Sequence, residues 1–207
     1  MNNLINLQKK SLNVNYMPRY LIIFAHPKRD SHSGYMLEQV EKRLRATGQD
    51  FETLDLYQMG YDPILKKEEL YSDNDRKVAP ETLIIQDKIR VAKRLIFIYP
   101  TWWQAPPAIL KGFIDRVFTS KFAFVYKQGI PVGLLGGKKA AVFTSTGSPR
   151  LIYRWLIGSP SVRALTIYTL LFSGVISRGF MLGSARDLGK SRARIEELAD
   201  KILDYLA

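Results

Sequence analysis

The sequence predicts a doubly wound α/β fold in which helices cover both faces of a five-stranded parallel sheet, giving three layers. From residue 20 onward, apolar runs alternate with helical stretches, which is typical of such sheets. The run from Leu95 to Ile98 is apolar throughout, as expected for a strand covered on both faces. Polar loops follow three of the strands, where open α/β sheets bind ligands.

The elements follow one another in a regular order. Apolar runs predict strands at residues 20–25, 51–55, 94–99 and 139–144, with a weaker one at 177–182. Amphipathic stretches predict helices at residues 33–46, 80–92, 107–119, 161–172 and 190–206. Gly48 stands just past the first helix, where a left-handed residue is expected. This count matches the flavodoxin-like strand order 2-1-3-4-5, so the loops after strands 1, 3 and 4 should meet at one edge.

The domain organisation is expected to be simple. At 207 residues, 46% of them hydrophobic, the chain can fill the core of one domain. We expect residues 1–16 to be a flexible extension and residues 17–207 to form the flavodoxin-like domain, with Met17 as the more natural start. Residues 57–79 are long and mixed in charge, so we interpret them as a surface excursion that closes over the site or contacts a partner.

Composition excludes several kinds of site. The chain has no Cys and only two His, which excludes thiol nucleophiles, disulfides and a multi-histidine metal site, so no metal is expected. The absence of Cys is compatible with a cytoplasmic location. No secretory signal is evident at the N-terminus. The apolar stretch 164–175 is too short to span a membrane and is interpreted as a buried or subunit-contact helix.

The formal net charge of +12 favours anionic partners. Phosphorylated cofactors, acidic membranes and nucleic acid all fit this description, but no groove-reading motif supports nucleic acid. Much of the charge could instead be the solvated face of amphipathic helices, as at residues 38–45, where acidic and basic side chains alternate.

The loop after the first strand has an anion-binding composition. Ser31, His32 and Ser33 stand directly before or at a helix start, where free backbone N–H groups and the helix dipole favour phosphate. The segment lacks the GxGxxG fingerprint and a Walker lysine, which leaves a nucleotide triphosphate unsupported. The alternative is that Ser31 or its neighbour Asp30 is only a helix N-cap.

Two further loops could hold a flat heteroaromatic ring. Thr101, Trp102, Trp103 and Gln104 follow the third strand, and the proline pair at 106–107 fixes the start of the next helix. After the fourth strand come small polar residues, which are Thr144, Ser145, Thr146, Gly147 and Ser148. Such donors suit the polar edge of a ring whose face lies on apolar surface. The tryptophans could instead only cap the core, and the hydroxyl residues could be ordinary strand ends.

Several motifs together resemble the flavodoxin-like NAD(P)H:quinone reductase family, the DT-diaphorase and modulator-of-drug-activity group. The resemblance covers roughly residues 19–206. The motifs are His26-Pro27, DLY at 55–57 with DPIL at 62–65, PTWW at 100–103, PAILKGFIDRVF at 107–118, and STG at 145–147 with Tyr153.

The resemblance implies a bound flavin, FAD or nearly equally FMN, and two-electron ping-pong transfer from NAD(P)H to a quinone-like acceptor by a cytoplasmic homodimer. It places the phosphate side of the flavin at His26, Ser31, His32 and Ser33. It places the ring at two sets of residues, which are Pro100, Thr101, Trp102, Trp103 and Gln104, and Ser145, Thr146, Gly147 and Ser148. Tyr153 takes the position of the family tyrosine beside substrate, and Arg194 that of an adenine contact.

The chain departs from the mammalian pattern at three places. Ser159 stands where those enzymes have a histidine, which puts an imidazole relay in doubt. Ser148-Pro149 replaces a second glycine, and the extra C-terminal region is missing. The resemblance also extends to regulatory subunits, so a second hypothesis of another class is a regulatory flavoprotein subunit that controls a membrane partner such as a potassium-efflux system. The basic surface and the 57–79 excursion are the features that would distinguish it.

Overall fold

The computed structural model describes residues 18–70 and 77–207. The predicted extension at residues 1–16 and part of the 57–79 excursion lie outside these residues. The main sheet contains β1 (Tyr20–Phe24), β2 (Phe51–Asp55), β3 (Arg94–Pro100), β6 (Lys139–Ser145) and β7 (Ile176–Leu182). These strands are parallel and lie in the order β2-β1-β3-β6-β7, which confirms the predicted order 2-1-3-4-5 for the five strands of this sheet.

Helices cover both faces of the sheet. They are α1 (His32–Ala46), α2 (Pro80–Val91), α3 (Ala108–Val117), α4 (Pro160–Leu165) and α5 (Leu188–Leu206). On β3, Ile96 and Ile98 point into the core beneath α1 and α5, whereas Leu95, Phe97 and Tyr99 point into the core beneath α2, α3 and α4. This alternation buries both faces of the strand, as its continuous apolar sequence predicts.

The first helix ends as its sequence predicts. Thr47 is the C-cap of α1 and Gly48 follows with a φ of +62°. Glycine adopts this left-handed conformation without the steric conflict that a side chain would bring.

The structure is helical over most of the predicted helix at 161–172, but the type of helix changes within it. The α-helix ends at Leu165 and the chain continues as a π-helix, Thr166–Leu171. Hydroxyl groups compete for the backbone acceptors here, since Thr166 Oγ1 donates to the Val162 carbonyl and Thr169 Oγ1 to the Ala164 carbonyl, at 2.9 and 2.8 Å. Such bonds disturb the regular helical ladder.

A β-hairpin was not predicted. The strands β4 (Phe124–Lys127) and β5 (Ile130–Gly133) pair antiparallel, apart from the main sheet. Gln128 and Gly129 form the turn with φ values of 52° and 80°. A Gly in a two-residue turn between apolar runs is the signal that could have revealed this hairpin.

A buried ion cluster anchors the described part of the excursion after β2. Arg116 of α3 is 1% exposed and donates from Nη2 to Glu69 Oε1 at 2.9 Å and from Nε to Glu69 Oε2 at 3.1 Å. Its Nη1 lies 2.8 Å from Glu81 Oε1 and also donates to the Asp62 carbonyl. Arg116 therefore joins the excursion and the start of α2 to α3.

Candidate active site

A small polar cavity of about 230 Å³ lies at the carboxyl edge of the sheet. The loops after β1, β3 and β6 meet there because these three strands are neighbours. Ten of the residues predicted from the sequence line it: His26, Ser31, His32, Ser33, Pro100, Thr101, Trp102, Ser145, Thr146 and Gly147. Ala185, from the loop after β7, also lines it. Nothing in its apolar side chain marks it as a site residue.

The N-terminus of α1 opens into this cavity with free donors. Ser31 is the N-cap, and its Oγ accepts from the Gly34 N–H at 3.0 Å. His32 Nε2 and Ser33 Oγ are buried, and within residues 18–70 and 77–207 neither has a hydrogen-bond partner. Buried donors without partners are costly unless a ligand satisfies them. Ser31 thus acts as the N-cap of α1, as the alternative had it, whereas His32 and Ser33 remain compatible with the predicted anion site.

His26 is held in one orientation at the edge of the cavity. His26 Nδ1 lies 2.7 Å from the Lys28 carbonyl oxygen, to which it donates when it carries the proton, and 2.9 Å from the Lys28 nitrogen, whose N–H donates to it when it does not. The ring lies against Trp102 with centroids 5.9 Å apart. Burial lowers the pKa of His26 below its ordinary value, although the Lys28 backbone and Asp30 oppose this. The imidazole is therefore neutral at pH 7.

The tryptophan loop is a tight turn. The backbones of Trp102 and Ala105 exchange two hydrogen bonds of 3.0 Å, and Trp103 and Gln104 have φ values of 48° and 63°. Two consecutive positive φ values are typical of a type I′ turn. Trp102 lines the polar cavity, whereas Trp103 is 99% exposed.

The loop after β6 is fixed by its neighbours. Thr101 Oγ1 lies 2.8 Å from Thr144 Oγ1, which connects the ends of β3 and β6. The Ser184 N–H donates to the Ser148 carbonyl and the Ala185 N–H to the Thr146 carbonyl, each at 2.9 Å. The hydroxyl-bearing wall of the cavity is thereby set by backbone bonds on both sides.

Tyr153 does not line the polar cavity. Its side chain is fully buried, and its hydroxyl accepts from the Ser161 N–H at 3.3 Å. The Ser159 N–H donates to the Tyr153 carbonyl at 3.0 Å. Tyr153 lines neither the polar cavity nor the larger one described next. The catalytic role that the resemblance implies for it stays a prediction.

A second, larger cavity of about 710 Å³ is mainly apolar and was not predicted. Its lining comes from the excursion, the tryptophan turn, α3, the hairpin, α4 and the π-helix. Its apolar lining includes Leu65, Ile114, Phe118, Phe124, Tyr168 and Phe172. Gln104 lines this cavity rather than the polar one. The turn 102–105 therefore separates a polar compartment from an apolar compartment.

Three further predicted residues lie outside both cavities. They are Trp103 at the tip of its turn, Ser148 beyond Gly147, and Arg194 on the exposed side of α5. Glu197 stands three residues after Arg194, and the pKa of this carboxyl is lowered mainly by Lys201 and also by the charge of Arg194.

The polar cavity fits a phosphorylated ring compound. Unpaired His32 and Ser33 donors at a helix N-terminus suit a phosphate, and the Trp102 side chain and the hydroxyl residues 145 and 146 suit a polar-edged ring. Within the described residues no cluster of His, Asp and Glu could hold a metal ion. In that part of the chain there is also no helix long and apolar enough to cross a membrane.

Comparisons with known proteins show which proteins this chain is similar to. An uncharacterized NAD(P)H oxidoreductase of Haemophilus influenzae is 37% identical over 130 residues, 62% of this chain and 64% of that protein. NAD(P)H dehydrogenase (quinone) 1 of Cavia porcellus is 31% identical over 152 residues, 65% of this chain and 55% of that protein. The solved structure of the NAD(P)H:quinone oxidoreductase from Methanothermobacter marburgensis superposes with a TM-score of 0.77 at 28% identity, covering 91% of this chain and 96% of that one.

Fold and site together define a doubly wound α/β protein with a polar cavity at the carboxyl edge of its sheet. The family model for Flavodoxin_2, described as a flavodoxin-like fold, matches residues 18–206, and the chain belongs to this family. The resemblance to flavodoxin-like NAD(P)H:quinone reductases is confirmed. The matched region spans 64% and 55% of the length of the two curated relatives named above.

Proposed function

We propose that this protein is an NAD(P)H oxidoreductase that holds a flavin and passes two electrons to a quinone or similar aromatic acceptor. The proposal depends on the unpaired, buried His32 Nε2 and Ser33 Oγ beside the Trp102 turn, because these atoms would bind a phosphate next to a surface that suits a ring. Its relatives bear names of the same activity class. A bound flavin would accept hydride from NAD(P)H and deliver it to the acceptor in a ping-pong sequence.

The chain itself binds and orients. The N-terminus of α1, with His32 and Ser33, would hold the flavin phosphate. Trp102 and the hydroxyl residues after β6 would hold the ring and its polar edge. Because His26 is neutral, its ring adds no charge at pH 7 and can exchange hydrogen bonds with the cofactor.

The apolar cavity is the compartment that would receive the acceptor. It adjoins the tryptophan turn through Gln104 and Ala105, and Phe118, Phe124 and Phe172 line it. Its volume and apolar lining suit an aromatic molecule of quinone size. Tyr153 would stabilise this compartment indirectly, because its hydroxyl accepts a hydrogen bond from the Ser161 N–H at the start of α4.

For the cofactor we propose FAD, with FMN as the close alternative. The preference rests on the resemblance at Arg194, and the structure adds no support because Arg194 is exposed on α5 outside both cavities. Mass identification of the chromophore released from the purified protein decides between the two.

We also propose a cytoplasmic homodimer. Tyr168 of the apolar cavity, Tyr126 of the hairpin and Leu171 of the π-helix are exposed over 66, 63 and 61% of their surface, and a second copy would cover such side chains. Sedimentation of the purified protein tests this state. The regulatory alternative finds no support among the relatives compared above.

Anaerobic titration tests the activity. The protein loaded with FAD or FMN is mixed with NADH or NADPH, and we expect the flavin absorbance near 450 nm to bleach and a quinone to restore it. Failure of both donors to bleach the bound flavin would contradict the proposal. A preparation that binds neither flavin would contradict it at an earlier step.

A further inference from the structure

The positive charge of the chain is concentrated in one segment. Residues 117–186 contain no Asp or Glu, and their nine basic residues are Lys121, Lys127, Lys138, Lys139, Arg150, Arg154, Arg163, Arg178 and Arg186. Acidic neighbours along the chain therefore cannot neutralise this segment, in contrast to α1, where Glu41 pairs with Arg45. Most of the net charge of +12 is thus carried by about a third of the sequence.

Within this segment one turn combines cations with large exposed apolar side chains. The turn, residues 150–156, follows β6 and includes the π-helix Ile152–Leu156. Leu151, Trp155 and Leu156 are exposed over 70, 76 and 81% of their surface. Arg150 and Arg154 are exposed as well, and neither forms an ion pair with any residue of the described ranges. We call residues 150–156 the basic apolar turn.

The basic apolar turn is firmly attached at its base. Tyr153, its one fully buried side chain, accepts a hydrogen bond from the Ser161 N–H. A side chain at Gly183 would lie 2.5 Å from the Arg150 backbone nitrogen, so the loop after β7 packs directly against the turn. Its apolar side chains therefore project from a fixed support rather than from a loose loop.

We propose that the basic apolar turn docks the protein on the surface of an anionic phospholipid bilayer. Trp155, Leu151 and Leu156 would enter the interface between headgroups and acyl chains, where indole rings are favoured. Arg150 and Arg154 would contact the anionic headgroups while their stems lie along the apolar boundary. This inference does not depend on the oxidoreductase activity.

Charge and apolarity together select a lipid surface over two other occupants. A nucleic acid would pair with the arginines but would leave three large apolar side chains without a partner. A second copy meeting this turn across a two-fold axis would place arginines against arginines, with no acidic residue in the whole segment 117–186 to compensate. An anionic bilayer satisfies both the cations and the apolar side chains.

Docking would bring the candidate site to the membrane. Arg150 stands three residues after Gly147, which lines the polar cavity, and Ser148 between them is bonded to the loop that carries Ala185. Docking through the basic apolar turn would therefore hold the polar cavity close to the bilayer.

Vesicle co-sedimentation of the full-length protein tests the proposal. We expect binding to vesicles of phosphatidylglycerol and phosphatidylcholine at low salt, and little binding to phosphatidylcholine alone. R150E/R154E should lower the partition coefficient at least about 30-fold, since one cation near an anionic surface contributes about a fivefold change. W155S/L156S should lower it on the order of 10-fold through the lost apolar insertion.

Matched variants exclude a general effect of charge or folding. K42E/K93E makes the same change of charge at the amino edge of the sheet, with Lys42 near the end of α1 and Lys93 just before β3, and should bind like wild type within about twofold. I64S, at a position 68% exposed in the excursion, is the apolar control. Thermal unfolding of each variant confirms that it is folded.

Three outcomes would overturn the proposal. One is absence of wild-type binding to anionic vesicles at low salt. Another is a W155S/L156S variant that changes the sedimented mass of the protein but keeps its vesicle binding, which would assign the turn to a second copy. The third is retention on duplex DNA that needs the arginines, together with vesicle binding that does not need Trp155 and Leu156. Activity of the flavin-loaded protein is measured separately, so its failure is distinguishable.

Discussion

The two cavities of this protein differ in how the chain builds them. The polar cavity is formed by loops that directly follow β1, β3 and β6, whereas the apolar cavity is formed by the hairpin, a π-helix, the excursion and one side of α3. Strand order alone brings the first set of loops together. The second set needs specific side-chain contacts, of which the Arg116 cluster is the most buried. Topology therefore positions the polar cavity, which we propose for the cofactor, and packing positions the apolar cavity, which we propose for the acceptor.

Breaking the Arg116 cluster should have the largest effect. R116M leaves Glu69 buried without its charge partner, and we expect a loss of about 3–5 kcal/mol in the free energy of unfolding. Urea denaturation followed by circular dichroism measures this loss. In R116M the segment that carries Leu65 should detach from the apolar cavity before the rest of the protein unfolds, because the cluster attaches that segment to α3.

K111M is the matched control for R116M, since Lys111 lies one turn earlier on α3 and pairs with Asp115 on the exposed surface. It should change the unfolding free energy by no more than about 0.5 kcal/mol. A loss of less than about 1 kcal/mol for R116M would show that packing around α3, rather than the ion cluster, holds the excursion.

Removing one donor of the polar cavity should have an intermediate effect. S33A deletes a buried hydroxyl proposed to bind phosphate, and we expect the dissociation constant for flavin to rise about 10- to 100-fold, with little change in stability. Quenching of flavin fluorescence measures the constant. T47A, at the far end of the same helix, and Y168S, in the apolar cavity, should leave it unchanged. Equal weakening by Y168S would show that the two cavities are not separate compartments.

A smaller effect is expected in the pH dependence of stability, because His26 of the polar cavity and Glu69 of the apolar cavity should respond in different pH ranges. The pKa of His26 is lowered by burial, so its stabilising contribution is complete above about pH 6.5 and is lost as the pH falls through the lowered value. We expect the unfolding free energy of wild type to fall by less than about 1 kcal/mol over this range, because the ring is partly solvated. H26Q should remove this slope.

Glu69 of the apolar cavity should respond only at lower pH. Its burial would raise its pKa, but Arg116 and the Lys66 N–H outweigh burial and lower it. Its contribution is therefore complete above about pH 4.5 and is lost below that value. A pH slope that persists unchanged in H26Q would assign the loss of stability below about pH 6.5 to another group.

The sequence predicts the sheet and the polar cavity well because both follow from local patterns. Strand β3 is an unbroken apolar run, and the residues after β1, β3 and β6 carry the donors that the structure brings together. Ala185 was missed because an alanine in a loop carries no chemical signal. Tyr153 had a strong family signal, yet the structure buries it completely.

The apolar cavity could not be predicted for a physical reason. Its walls depend on Phe124 of the hairpin meeting Phe172 after the π-helix, with ring centroids 4.8 Å apart, and these residues are far apart in sequence. The π-helix depends on threonine hydroxyl bonds that compete with a helical periodicity of ordinary appearance. Only the Gln128-Gly129 turn offered a local signal.

The turn that carries Trp103 is stabilised less than it could be. Trp103 and Gln104 both adopt positive φ, which costs a residue with a side chain roughly 1 kcal/mol or more, whereas Asn-Gly would adopt the same turn readily. The indole of Trp103 gains little burial in return, being 99% exposed. A thermostability screen should therefore recover replacements at 103 and 104. If such stabilised variants lose turnover, the exposed indole of Trp103 contributes to function rather than to stability.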